Sequence, residues 1–164
     1  MTATLITQRV RADAATPDRL RQLIFYCDGL TEPINPGGYA CWAWVALDDE
    51  GAEISSDYGC LGYGPGFTNN LAEYAAVEEA LKWAGLHHAQ AKIVIRTDSL
   101  LVVNQVNGRW HCRAPHLQPL QLRCARLLGR LQATLEWVPR ERNERADALT
   151  RVAYREARAR KEPR

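Results

Sequence analysis

Two short apolar runs, each closed by an aspartate, constrain this chain more than any other feature. Leu23-Ile24-Phe25-Tyr26-Cys27-Asp28-Gly29 reads as a buried strand and Lys92-Ile93-Val94-Ile95-Arg96-Thr97-Asp98 as another. Set among further strands and helical segments, they make this an α/β chain. Tyr39 to Leu47 reads as a further strand, Asp48-Asp49-Glu50-Gly51 as a hairpin turn, and Ala52 to Cys60 as its antiparallel return. Leu71, Tyr74, Ala75, Glu78, Leu81 and Lys82 keep helical spacing behind the natural caps Thr68 and Asn69. A short helix opens at Ser99, and Leu117, Leu120, Cys124, Leu127, Leu128 and Leu131 share one face of a longer one. Thr134 to Val138 gives a fifth strand, and Asn143 to about Arg160 a charged helix. This order predicts a five-stranded mixed sheet, three antiparallel strands and then parallel crossovers, with helices on both faces.

The 164 residues, 46% hydrophobic and 24% charged, suit one globular domain and exclude wholesale disorder. We expect an N-terminal tail over 1–20, a folded domain over 21–155 and a charged tail over 156–164. No apolar run approaches the roughly 20 residues of a membrane helix. Met1 to Arg9 has no secretory pattern, and the five cysteines include no pair closer than 12 residues. Reduced thiols and a cytoplasmic monomer are therefore expected, with no membrane association. The formal charge of +2 argues against a nucleic-acid partner, but its distribution argues the other way. No acid stands between Asp98 and Glu136, whereas Arg109, Arg113, Arg123, Arg126 and Arg130 do, three of them on the long amphipathic helix. Trp42, Trp44, Trp83 and Trp137 lie on strand or helix faces and should be core, while Trp110 sits in the polar stretch Gly108-Arg109-Trp110-His111.

Among nineteen acids, position selects four. Asp28 and Asp98 close the two buried strands; Glu73 and Asp147 lie in the opening turns of the first and last helices. In α/β sheets the crevice beyond the strands' carboxyl ends is the usual ligand site. Four carboxylates meeting there without a lysine would repel one another, which a divalent cation relieves. Mg²⁺ or Mn²⁺ prefers oxygen ligands, and two such ions suit phosphodiester hydrolysis. His87, His88, His111 and His116 offer no zinc cluster.

Four motifs resemble type 1 ribonuclease H in order: Asp28-Gly29 with Asn35-Pro36-Gly37, Thr68-Asn69-Asn70-x-Ala72-Glu73-Tyr74, Thr97-Asp98-Ser99, and Trp137-Val138-Pro139-Arg140-x-x-Asn143-x-x-Ala146-Asp147. The resemblance covers Leu23 to about Val152 and implies a ribonuclease H-like fold that cleaves the RNA strand of an RNA–DNA hybrid. It implies a tetrad of Asp28, Glu73, Asp98 and Asp147 holding two Mg²⁺ or Mn²⁺ ions, and products with 5′-phosphate and 3′-hydroxyl ends. Gly29, Asn35, Thr68, Asn69 and Asn70 would sense the RNA 2′-hydroxyls, with Arg109 and Trp110 contacting the hybrid. The sequence departs from many bacterial members in having no histidine before Asp147, where Arg140, Glu141 and Arg142 stand, and in having no room for a basic protrusion between Gln105 and Leu117. Leu30 also replaces a small polar residue. A non-catalytic hybrid-binding module and another nuclease on the same fold remain open at this point.

Overall fold

A computed structural model of the chain describes residues 22–161, so the expected tail over 1–20 lies outside the described residues. The sheet contains β1 (Gln22–Glu32), β2 (Tyr39–Leu47), β3 (Glu53–Tyr63), β4 (Lys92–Thr97) and β5 (Thr134–Trp137). Their order across the sheet is β3-β2-β1-β4-β5. β1, β2 and β3 pair antiparallel, and β4 lies parallel to both β1 and β5. The helices are α1 (Asn69–His87), α2 (Leu100–Val106), α3 (Gln118–Leu131) and α4 (Glu144–Lys161). Among the described residues no helix is long and apolar enough to cross a membrane.

Strand alternation splits the core in two. Leu23, Phe25 and Cys27 of β1, with Trp42, Trp44 and Ala46 of β2, pack against α1, α2 and α3. Ala43 and Val45 of β2 face the other way, onto Ala146 and Leu149 of α4. Thr68 caps α1 by accepting from the Leu71 amide at 3.2 Å, and Ser99 caps α2 through Val102 at 3.3 Å. α4 is anchored through its later turns, where the Tyr58 hydroxyl donates to Glu156 at 3.0 Å.

Three expectations are corrected. Cys41 and Cys60 stand opposite one another in the β2–β3 register and are joined as a disulfide, leaving Cys27, Cys112 and Cys124 free. Strand register brings them together, which their separation of 19 residues does not announce. Trp42 and Trp44 are buried, but Trp137 is 49% exposed, because β5 ends there at the sheet margin. Arg123 is not part of a free cationic face: its guanidinium holds the buried Glu78 carboxylate through two bonds of 2.8 and 3.1 Å. Arg126 and Arg130 remain exposed on α3.

Candidate active site

β1 does not stop at Gly29. It loses β4 as a neighbour after the Cys27–Thr97 pair and continues along β2 to Glu32. Asp28 therefore sits where the parallel ladder opens, beside Asp98, which follows the last residue of β4. Gly29 lets α1 approach this point: a Cβ there would lie 2.2 Å from the Glu73 amide nitrogen and 2.5 Å from the Ala72 carbonyl carbon. Room, not an unusual φ, is what the glycine supplies. Gly29→Ala is expected to destabilise the protein by about 3 kcal/mol, since backbone on both sides must shift. A denaturant midpoint showing less than about 1 kcal/mol of loss would contradict that packing.

This approach brings Glu73 to the two aspartates. One carboxylate oxygen from each of Asp28, Glu73 and Asp98 lies within 4.8 Å of the other two. Asp28 and Glu73 are buried, Asp98 partly so. Among the described residues none of the three is ion-paired. Burial, reinforced by Asp98 and Asp147, pushes the Asp28 carboxyl up to about 7, while Thr150 and Arg140 pull it down. Burial and the two aspartates also raise Glu73 well above its ordinary value, against the Gly29 amide and the Thr97 hydroxyl. Three convergent oxygen donors with uncompensated charge fit a hard divalent cation such as Mg²⁺ or Mn²⁺. The adjacent Cys27 thiol is pushed far up by burial and offers no thiolate.

Asp147 stands outside this group of three. Its Oδ2 accepts from Arg151 Nε at 3.0 Å, and its Oδ1 receives longer contacts of 3.4 Å from Arg140 and Arg151. It is still close enough to raise the Asp28 carboxyl. Of Arg140, Glu141 and Arg142, which precede α4, Arg140 is the one that reaches Asp147. α4 contributes more than its carboxylate. Asn143 Nδ2 donates to the Cys27 carbonyl at 2.8 Å and to Asp98 Oδ1 at 3.3 Å. The Thr150 hydroxyl lies 3.1 Å from Asp28 Oδ2. Asn143, Asp147 and Thr150 are spaced i, i+4, i+7, one helical face. That spacing was present in the sequence, but Thr150 was not read from it and Asn143 entered only as part of a motif. Trp137 was also missed as a neighbour of the site: its indole N–H donates to the Asp98 carbonyl at 3.1 Å.

Residues 34–153 match the family described as reverse transcriptase-like. The ribonuclease HI of Halobacterium salinarum is 36% identical over 142 residues, covering 86% of this chain and 68% of that protein. The chain belongs to the type 1 ribonuclease H family. The solved RNase H1 of the same halophilic archaeon superposes with a TM-score of 0.73 at 33% identity, over 80% of this chain and 96% of that one. The N-terminal ribonuclease H domain of a Mycobacterium tuberculosis protein gives 0.76 at 29% identity, over 86% and 99%. This chain spans only 31% of that bifunctional protein's full length. LC11-RNase H1, solved in complex with an RNA/DNA hybrid, gives 0.74 at 28% identity, over 82% and 98%.

For a type 1 ribonuclease H, the expected substrate face has internal order. Asn35 Oδ1 accepts from the Asn69 amide at 3.0 Å, and Asn69 Oδ1 accepts from the Thr31 amide at 3.1 Å. Asn35 and Asn69 thus tie the end of β1 and the loop after it to the start of α1, where Thr68 and Asn70 also stand. Each oxygen has accepted one bond, which leaves its second lone pair and the amide N–H₂ for a ligand. Arg109 and Trp110 lie beyond α2, both exposed, with their backbone amides donating to the Asn104 carbonyl at 2.8 and 3.1 Å.

Proposed function

We propose that this protein is an endoribonuclease that hydrolyses the RNA strand of RNA–DNA hybrids, using two Mg²⁺ or Mn²⁺ ions and leaving 5′-phosphate and 3′-hydroxyl ends. The observation that carries the reading is the convergence of Asp28, Glu73 and Asp98 at the mouth of the parallel ladder. Relatives named ribonuclease H, one of them solved with hybrid bound, support the substrate. When bound, the ions supply activation of the attacking water and stabilisation of the leaving 3′ oxygen.

Asp28, Glu73 and Asp98 would hold them, and Asp147 would complete the set once one of its oxygens leaves its guanidinium partners. Arg140, released from Asp147, is then available to a phosphate oxygen. Gly29, Thr68, Asn69 and Asn70, with Asn35 behind them, would meet the minor groove, where 2′-hydroxyls distinguish RNA from DNA. Arg109 and Trp110 would meet the partner strand. We take a cytoplasmic monomer as the working form.

The deciding experiment uses a defined, end-labelled hybrid with Mg²⁺ or Mn²⁺, with single-stranded RNA and duplex DNA as competitors. Internal cuts in the RNA strand carrying 5′-phosphates are expected. Hybrid bound but uncut would favour a non-catalytic binding module, and cleavage of branched or duplex DNA would move the activity elsewhere on this fold. Trp110→Ala should raise KM several-fold at unchanged kcat, the loss of roughly 1 kcal/mol of stacking. Unchanged KM would remove Trp110 from the interface.

A further inference from the structure

Thr150 is fully buried, yet it carries a hydroxyl in the wall between α4 and β1. Its Oγ1 lies 2.7 Å from the Asp147 carbonyl oxygen and 3.1 Å from Asp28 Oδ2. One hydroxyl therefore touches the backbone of one site aspartate and the side chain of another, residues 119 positions apart in the chain. Its single proton is shared between these two acceptors; among the described residues it is the side chain within hydrogen-bond distance of the Asp28 carboxylate, at Oδ2, and none reaches Oδ1. That contact draws Oδ2 toward α4 and leaves Oδ1 for a ligand.

From this geometry we propose that Thr150 is a positioning residue. Its hydroxyl sets the orientation of Asp28 and the spacing between Asp28 and the Asp147 turn, and so tunes divalent-cation binding. The assignment rests on the cation-dependent reading given above. Groups that orient a metal-binding carboxylate from behind usually matter about 10- to 100-fold in affinity or rate. Val at this position would keep the branched shape and remove the hydroxyl; Ser would keep the hydroxyl and remove the methyl group.

The test titrates the whole protein with Mn²⁺ alone, by calorimetry, for the wild type and for Thr150→Val, Thr150→Ala and Thr150→Ser, with thermal melts to confirm folding. Thr150→Val should weaken Mn²⁺ binding by about 10-fold and lower kcat on hybrid by a similar factor at unchanged KM. Thr150→Ser should recover most of both. Thr150→Ala makes the same comparison if the valine variant does not fold. Wild-type Mn²⁺ affinity in the valine or alanine variant overturns the assignment, as does a serine variant as impaired as either, or an effect confined to KM. If the wild type binds Mn²⁺ but cuts no hybrid, the proposed activity fails while the Mn²⁺ comparison still decides the role of Thr150.

Discussion

Asp98→Asn is expected to abolish hybrid cleavage, by about 10³-fold or more, while hybrid binding changes little. A bound divalent ion contributes several kcal/mol of transition-state charge stabilisation, and each 1.36 kcal/mol is tenfold in rate. The substitution is nearly isosteric. The amide oxygen can still accept from Asn143 Nδ2, and Trp137 bonds the backbone carbonyl, which is unchanged. Only the negative charge and a ligand oxygen are lost, so the drop reports on cation binding and not on collapse of the site. Single-turnover kinetics on a labelled hybrid, at saturating Mg²⁺ and again at high Mn²⁺, measure it. A variant that retains a tenth of wild-type turnover would remove Asp98 from the chemistry.

The second large effect concerns stability without cations. Asp28 titrates near 7 in the folded protein, because burial and the neighbouring Asp98 and Asp147 disfavour its charged form; the unfolded value is 3.8. The folded state thus binds more protons between these values, and stability falls as pH rises from about 4 to about 7. The stabilisation is fully present below the unfolded value and lost above the folded one. Three pH units at about 1.36 kcal/mol each set a ceiling of about 4 kcal/mol, reduced by coupling to Glu73 and Asp98. Asp28→Asn removes this penalty and can keep the bond from Thr150. In EDTA at pH 8 the variant should be more stable than wild type by on the order of 2 kcal/mol, and the gap should close toward pH 4. Mg²⁺ should stabilise the wild type and largely spare the variant. Paired melts from pH 4 to 9, with EDTA and with Mg²⁺, check this; a variant less stable than wild type at pH 8 in EDTA would make Asp28 a structural group.

Much of the site was legible in the chain because its signals are local. The buried runs ending at Asp28 and Asp98 and the Thr68 and Ser99 caps each lie within about ten residues, and they placed strands and helices close to where the structure has them. Glu73 was findable because a helix opening beside a strand end brings its early turns to the ligand crevice. Asp147 is named by its place in the opening turns of the last helix, but its pairing with Arg140 and Arg151 is not legible there. A single-sequence reading sees an arginine four residues beyond an aspartate as an ordinary helical pair.

By itself the sequence determined the α/β order, the two buried strands and which carboxylates could meet. Tertiary structure decided how they meet. The Gly29–Glu73 approach, the Cys41–Cys60 pairing, the Arg123–Glu78 bond and the Thr150–Asp28 bond join different elements, the last across 122 residues. Which side chains face each other there depends on strand register and helix rotation, fixed by two close-packed cores on opposite sides of the sheet. Periodicity says that a face exists; only packing says what it touches.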